Sequence, residues 1–316
     1  DAPALEVSRV RNIAAFCLAG LLFSLLGPRG AAAQIVELAP EEGPQGSEQL
    51  GESLRMTMQS GAPNQYFFRG ILQSERGFLW QSNSNLDVPL YDGKQFRFII
   101  PVGFWFSVHP GDSAKSGKGP AAWYESRLSG GVAVEGAAYR ADLRLMVYSS
   151  PNGSFRDVYE LLLRAELFDD VWFAKGSLSA IFRGFFPSIT LANELKGARD
   201  GRRSGTFAEI AMAPRARVFA NKDTIVDVAF PLSLGLGISK YYELVEIGDT
   251  APTNHVLGYA AGGLLLDIVP RSFPARLGAY NILPSMTVLL PTAAHDAQAG
   301  VNAVELVAKI DSMVRF

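Results

Sequence analysis

The sequence predicts an all-β fold, a transmembrane antiparallel up-and-down β-barrel of about twelve strands. Three observations carry this expectation. Apolar and polar residues alternate with period two through most of the chain, the pattern of a strand whose two faces meet different surroundings. Shorter and longer polar links roughly take turns between the alternating runs, as in barrels with short periplasmic turns and longer outer loops. The chain also opens with the parts of an export signal, and its one cysteine lies inside that signal.

That signal comes first along the chain. Arg9 and Arg11 precede an apolar run from Ile13 to Leu26, followed by Gly27, Pro28 and Ala31-Ala32-Ala33. A positive flank, a short apolar run and an Ala-x-Ala site make a secretory signal peptide, expected over residues 1–33 with cleavage after Ala33. The run is short for a spanning helix, which needs roughly 20 residues. Cys17 falls within it, so the exported chain from Gln34 would hold no disulfide, thiolate metal site or cysteine nucleophile. Residues 34–53 are acidic and rich in Pro, Gly and Glu, which reads as a flexible segment ahead of a barrel over residues 54–316.

Composition narrows the function classes. The 316 residues are 48% hydrophobic and 19% charged, with 29 Lys+Arg against 31 Asp+Glu. A disordered chain is excluded by that hydrophobicity at near-zero net charge. Without a basic run to follow phosphates, a nucleic-acid binder is not expected either.

Within the barrel the first strand is expected near Tyr66 or slightly before. Phe96, Phe98, Ile100, Val102, Phe104 and Phe106 then share one face, opposite Arg97, Gly103 and Trp105. Tyr124, Leu128, Val132 and Val134 oppose Trp123, Glu125 and Arg127. The clearest runs are Tyr139, Ala141, Leu143, Leu145, Val147 against Arg140, Asp142, Arg144, Met146, Tyr148, and Tyr159, Leu161, Leu163, Ala165, Leu167 against Glu160, Leu162, Arg164, Glu166. Asn152-Gly153 between them is a hairpin signal, because both residues tolerate positive φ. Helical spacing competes with strand only over Val171–Phe186. Val226 to Leu236 alternates around Asp227, and the last run ends Ile310, Ser312, Val314, Phe316. A terminal aromatic such as Phe316 is the expected insertion signal for the barrel-insertion machinery.

Periodicity alone leaves open which face points inward: a soluble barrel hides its apolar face, a membrane barrel displays it. The continuity of the apolar faces and the mixed charges opposite them favour the membrane sense. Aromatics at Phe104-Trp105-Phe106, Trp123-Tyr124, Trp172-Phe173 and Tyr241-Tyr242 are expected to form the interfacial girdle. Arg140, Asp142, Arg144, Glu160, Arg164, Glu166, Glu125, Arg127 and Asp227 are then expected to line a water-filled lumen. The acidic N-terminal segment or Val171–Phe186 is a candidate to fold inside it.

The run Tyr66-Phe67-Phe68-Arg69-Gly70-Ile71-Leu72-Gln73 resembles the opening of the TorF-like group of proteobacterial porins and outer-membrane β-barrels. Gly103-Phe104-Trp105, Trp123-Tyr124-Glu125-Ser126, Tyr148-Ser149-Ser150-Pro151-Asn152 and Lys240-Tyr241-Tyr242-Glu243 are similar to motifs of related families. Arg127 stands where that pattern has an acidic residue. The resemblance implies an outer-membrane barrel with a channel role and transfers no catalytic residue.

Signs of other chemistry are weak. His109, His255 and His295 lie far apart beside polar links, without metal-ligand spacing, and read as solvated loop histidines. His109 with Ser107 or Ser113 is the nearest approach to a nucleophile–base pair, with nothing in the sequence to orient it. Gly258, Gly262 and Gly263 read as close strand packing rather than a phosphate loop. Arg199, Arg202 and Arg203 form a basic outer loop suited to lipopolysaccharide phosphates. The expectation is therefore a non-enzymatic, cofactor-free and metal-free channel for passive diffusion of small solutes in a bacterial outer membrane. Its partners would be outer-membrane lipid, lipopolysaccharide and the insertion machinery, with oligomeric state left open. A soluble periplasmic barrel binding an apolar ligand and a non-conducting structural barrel are the alternatives.

Overall fold

The computed structural model describes residues 54–74, 77–109, 120–173, 181–198, 204–244, 253–274, 278–291 and 304–316. The signal peptide, the acidic segment, the basic loop at Arg199, Arg202 and Arg203, and His295 lie outside these residues. The strands are β1 Arg55–Pro63, β2 Tyr66–Phe68, β3 Ile71–Ser74, β4 Trp80–Asp92, β5 Phe96–Val108, β6 Trp123–Gly136, β7 Tyr139–Ser149 and β8 Val158–Leu167. They continue as β9 Phe182–Gly184, β10 Ser188–Lys196, β11 Thr206–Met212, β12 Arg215–Ala220, β13 Thr224–Ala229 and β14 Leu232–Ser239. The last are β15 Glu243–Leu244, β16 Thr253–Asn254, β17 Leu257–Pro270, β18 Ala279–Pro291 and β19 Glu305–Arg315.

Every wall strand pairs antiparallel with its neighbour, and β1 also pairs with β19, setting Thr57 opposite Arg315 and closing the sheet. The pairs β9/β10, β11/β12 and β13/β14 are each one crossing interrupted near a proline: Pro187, Pro214 and Pro231. Proline offers no N–H to a ladder, so the strand breaks there. The three breaks lie side by side, joined by Ala213 N donating to Phe185 O, Phe230 N to Pro214 O and Gly263 N to Pro231 O. Counting each interrupted pair once, twelve strands close the barrel, as the alternation predicted.

The faces point in the membrane sense. Leu143 and Leu163, paired across β7 and β8, are 43% and 46% exposed, while Arg140 and Asp142 on the opposite face of β7 are 5% and 3% exposed. This orientation is opposite to that of a soluble barrel with an apolar interior, so the soluble alternative is set aside. Short links join β4 to β5, β6 to β7 and β12 to β13 at one end, where β1 begins and β19 finishes. At Asn221 the side-chain Oδ1 accepts from the backbone N–H groups of Asp223 and Thr224, which sets that turn locally.

Several expectations need correction. The first wall strand is Arg55–Pro63, and Tyr66–Ser74 is not part of the wall at all. The hairpin signalled by Asn152-Gly153 forms, β7 pairing antiparallel with β8, but only Gly153 has positive φ, at 76°, and the link is longer than expected, spanning residues 150–157. Asn152 instead ties that link to the start of β6, donating from Nδ2 to Ala121 O at 3.0 Å. Of Val171–Phe186, Asp170–Phe173 is one helical turn and Phe182–Gly184 is β9. Val171 and Trp172 are 40% and 65% exposed, and residues 174–180 of this stretch lie outside the described residues.

The girdle is only partly the one expected. Tyr241, Tyr242, Trp105 and Tyr124 are buried inside the barrel. A bulge explains Tyr124: Ser107 pairs with Glu125 but Val108 with Trp123, so the extra residue Tyr124 turns inward and Trp123 outward. The outward aromatics near the long-link end are Trp80, Phe106 and Trp123, edge to face at 5.3 and 6.1 Å. At the other end Tyr91, Phe96 and Phe98 cluster, as do Phe273 and Tyr280.

Candidate functional site: the lumen and its internal hairpin

The strands β2 and β3 form a hairpin enclosed by the wall. Tyr66, Phe67 and Phe68 are all buried, and this loss of alternation means that both hairpin faces are covered. Its two-residue turn is Arg69-Gly70, with φ of 49° and 77°. Two positive φ values mark the primed turns that match strand twist. A non-glycine residue there costs on the order of 1–3 kcal/mol, so Arg69 must be held by its surroundings.

It is. Arg69 Nη1 and Nη2 donate to the two carboxylate oxygens of Glu160 at 2.6 and 2.8 Å, and Nη1 also donates to Tyr241 Oη at 3.0 Å. Its guanidinium lies 4.4 Å from the centroid of Phe207. Tyr242 Oη donates to Arg69 O, and the Gly70 backbone lies so close to the Tyr259 ring that a Cβ would collide with it. Glycines at 235, 237 and 258 leave room for the Tyr259 and Tyr242 rings. Close packing is thus the role of Gly258, as the sequence suggested.

On one face of the hairpin, Tyr66 and Phe68 pack with Leu79, Trp105, Tyr124, Tyr148 and Val158. On the other, Phe67 packs with Phe207, Tyr241, Tyr242, Tyr259, Leu289 and Val307. The hairpin therefore bridges the lumen from the β5–β8 side to the β11–β19 side at the long-link end. Tyr66 Oη donates to Glu125 at 2.8 Å and accepts from Arg127, whose Nε donates to the other Glu125 oxygen at 2.8 Å. Arg127 also stacks 3.9 Å over Trp105.

Below the hairpin lies a cavity of about 460 Å³ reaching toward the short-turn end. Arg140 bridges three carboxylates there, donating to Asp87 at 2.7 Å, Asp142 at 2.9 Å and Glu135 at 3.3 Å. Arg55 donates to the same Asp87 and Glu135, and Arg144 to Asp142 at 2.8 Å. Arg164 pairs with Glu166 at 3.3 Å, Arg217 with Asp227 at 2.7 Å and Lys309 with Asp311 at 3.0 Å.

All nine residues expected at the lumen lie on the inward face, in separate groups. Glu125, Arg127 and Glu160 hold the hairpin; Arg140, Asp142 and Arg144 join the short-turn network; Arg164 pairs with Glu166, and Asp227 with Arg217. Sequence reasoning missed Arg69, Arg55, Asp87 and Glu135. Arg69 is readable only as one residue of a family-like run, and Arg55 precedes the first expected strand.

Between these charges the wall has an uncharged strip. Thr57, Gln59, Asn83, Asn85 and Ser129 are half-buried against the cavity. Gln59 pairs across strands with Asn83 and Thr57 with Asn85, and Gly103 lies in register between Asn85 and Ser129. A Cβ at Gly103 would collide with Ser129 Oγ and Asn85 Oδ1, so its absence joins the two sides of the strip. Among the described residues these five side chains make no hydrogen bond to one another or to other groups.

His109 departs from the solvated reading. It is 0% exposed, stacked on Tyr124 at 4.4 Å, with Nε2 2.6 Å from the equally buried Ser107 Oγ. The pair is sealed beneath Tyr66 and Tyr124, so it supports the hairpin rather than presenting a nucleophile. Among the described residues no three His, Cys, Asp or Glu side chains are grouped to hold a metal ion.

No family model matches the chain, and no curated protein does. Solved structures do. An outer-membrane channel from Pseudomonas putida F1 aligns at a TM-score of 0.45 and 10% identity, covering 87% of this chain and 100% of that one. LpxR from Salmonella typhimurium aligns at 0.45 and 7% identity, covering 82% and 99%. The NanC porin aligns at 0.36 and 8% identity, covering 82% and 98%. The fold assignment rests on the closed sheet itself. This chain is a transmembrane β-barrel. Its Phe316 lies beside β1, exchanging backbone bonds with Met56 of 2.9 and 3.2 Å.

Proposed function

We propose that the barrel sits in a bacterial outer membrane and passes small solutes by diffusion through its lumen. The observation that carries this reading is the polar, charged cavity of about 460 Å³ inside a wall whose outer face is apolar. Selection would then depend on lumen width and lining, without a chemical step. The ion pairs carry both signs side by side, which supports weak charge selectivity. Membership of the TorF-like porins fits the same reading, as does recognition of Phe316 by the insertion machinery and of lipopolysaccharide by Arg199, Arg202 and Arg203.

One observation favours a second reading, a structural barrel that does not conduct: the Tyr66–Ser74 hairpin lies across the long-link end. Planar-bilayer recording of the purified barrel separates the two. Stepwise conductance in KCl, rising when Arg69 is replaced by Ala, is the result expected of a channel. Silent bilayers from both the parent and Arg69→Ala, with each still shifting on gels only after boiling, would leave the structural reading in its place.

A further inference from the structure

We infer that the uncharged strip of β1, β4 and β6 recognises neutral polyhydroxyl solutes, such as small sugars and polyols. The inference deepens the channel reading by naming its solute class. Two independent features of the lumen lead to it.

The first is how the charges are disposed. Arg127, Arg140, Arg144, Arg164 and Lys309 all face the cavity, and each has a carboxylate within 3.3 Å. An ionic solute would have to compete with a partner already in place, at a site largely removed from water. These five paired charges neither collect ions of one sign nor offer a vacant counter-charge.

The second is the strip itself. Thr57, Gln59, Asn83, Asn85 and Ser129 face the same cavity with their hydrogen-bonding capacity unspent within the described protein. Each amide offers two donors and acceptor lone pairs, and each hydroxyl both donates and accepts. A polyol entering the lumen loses bonds to water and needs replacements of mixed polarity, which this wall supplies without charge. Gly103 makes the strip continuous, because any side chain there would separate Asn85 from Ser129. The cavity volume lies in the range of small-molecule sites, roughly 300–1,000 Å³.

The test uses glucose, gluconate and glucosamine, one carbon skeleton carrying no charge, a negative charge and a positive charge. The full barrel, confirmed folded by heat-modifiable mobility, is assayed by liposome swelling for entry and by saturation-transfer NMR for equilibrium binding. Glucose is expected to enter several-fold faster than either charged analogue and to give a saturable NMR signal. The double variant Asn83→Leu/Asn85→Leu should abolish the preference and the signal, and Asn83→Gln/Asn85→Gln should retain both. KCl conductance with equal entry of all three probes and no glucose binding would overturn the inference and leave the channel reading standing. No conductance or swelling, but saturable glucose binding that disappears in the Leu variant, would sink the channel reading and uphold the recognition. A preference unchanged in the Leu variant would overturn the assignment to this wall, and absence of every signal would overturn both readings.

Discussion

Arg69 and Glu160 meet inside the lumen through two hydrogen bonds of 2.6 and 2.8 Å, 91 residues apart in the chain and each no more than 5% exposed. The pair holds the tip of the hairpin against β8 and offsets a turn that places arginine at positive φ. Breaking a buried pair from one side costs on the order of 3–5 kcal/mol, because the remaining charge is stranded. Arg69→Ala is expected to lower unfolding stability by about that much and to free the hairpin. The paired replacement Arg69→Met/Glu160→Leu should recover much of the loss, as read by urea titration of tryptophan fluorescence.

Gly70 has no room for a side chain against Tyr259 and has φ of 77°. Gly70→Val should therefore unseat the hairpin while leaving the wall closed. Limited proteolysis reports this directly: new cleavage between residues 64 and 74 is expected, with heat-modifiable mobility unchanged. An uncut hairpin would show that the tip tolerates the added bulk.

Tyr241 lies beyond β14, outside the membrane-spanning strands. Burial pushes its hydroxyl well above the ordinary tyrosine range, with Arg69 opposing the rise and Glu160 and Glu194 adding to it. A folded-state value above the unfolded one stabilises the fold fully below about pH 10, the unfolded tyrosine value. That contribution is lost as pH climbs from there through the folded value. Hairpin protection from protease should thus hold at pH 8 and fall in strong alkali, with Tyr241→Phe showing a shallower decline. Equal protection through that range in both proteins would exclude the effect.

Arg140 bonds three carboxylates, so Arg140→Gln leaves Asp87, Glu135 and Asp142 with too little positive charge. Stability is expected to drop by about 3–5 kcal/mol. Reversal potential in a KCl gradient should shift toward cation preference, and an unshifted potential would place this network outside the ion path.

Leu163 faces outward between Leu143 and Leu191 on the neighbouring strands. Leu163→Arg on a lipid-facing position near the bilayer centre should cost about 2–4 kcal/mol in a vesicle-folding titration. A change near zero would be the behaviour of a water-exposed surface instead.

How much of this is legible in the sequence follows from what period two records. It reports that a strand has two unlike sides, so the paired faces of β7 and β8 are readable to the residue. Tyr66, Phe67 and Phe68 look like one more strand because composition does not distinguish a wall from something the wall encloses. Tyr124 falls on the wrong face in the alternation because a single extra residue reverses parity, and only its pairing partners reveal the bulge. The buried tyrosines at 241 and 242 read as girdle residues, since an amphipathic ring suits a membrane interface and a hydrogen-bonded interior equally well. The ladder breaks at Pro187, Pro214 and Pro231 are in plain view as prolines. Their side-by-side alignment depends on register, which no single run carries.

The hairpin is also short-tethered. Only Asn64 and Gln65 separate Pro63, at the end of β1, from Tyr66. Two residues reach roughly 7 Å at full extension. On the far side five residues join Ser74 to Trp80, a reach of roughly 17 Å. With β1 zipped to both β4 and β19, that leash allows the hairpin to tilt or swing but not to leave. Any opening at the long-link end is then a change of angle about Asn64, and the aromatic rings stay within the mouth of the barrel.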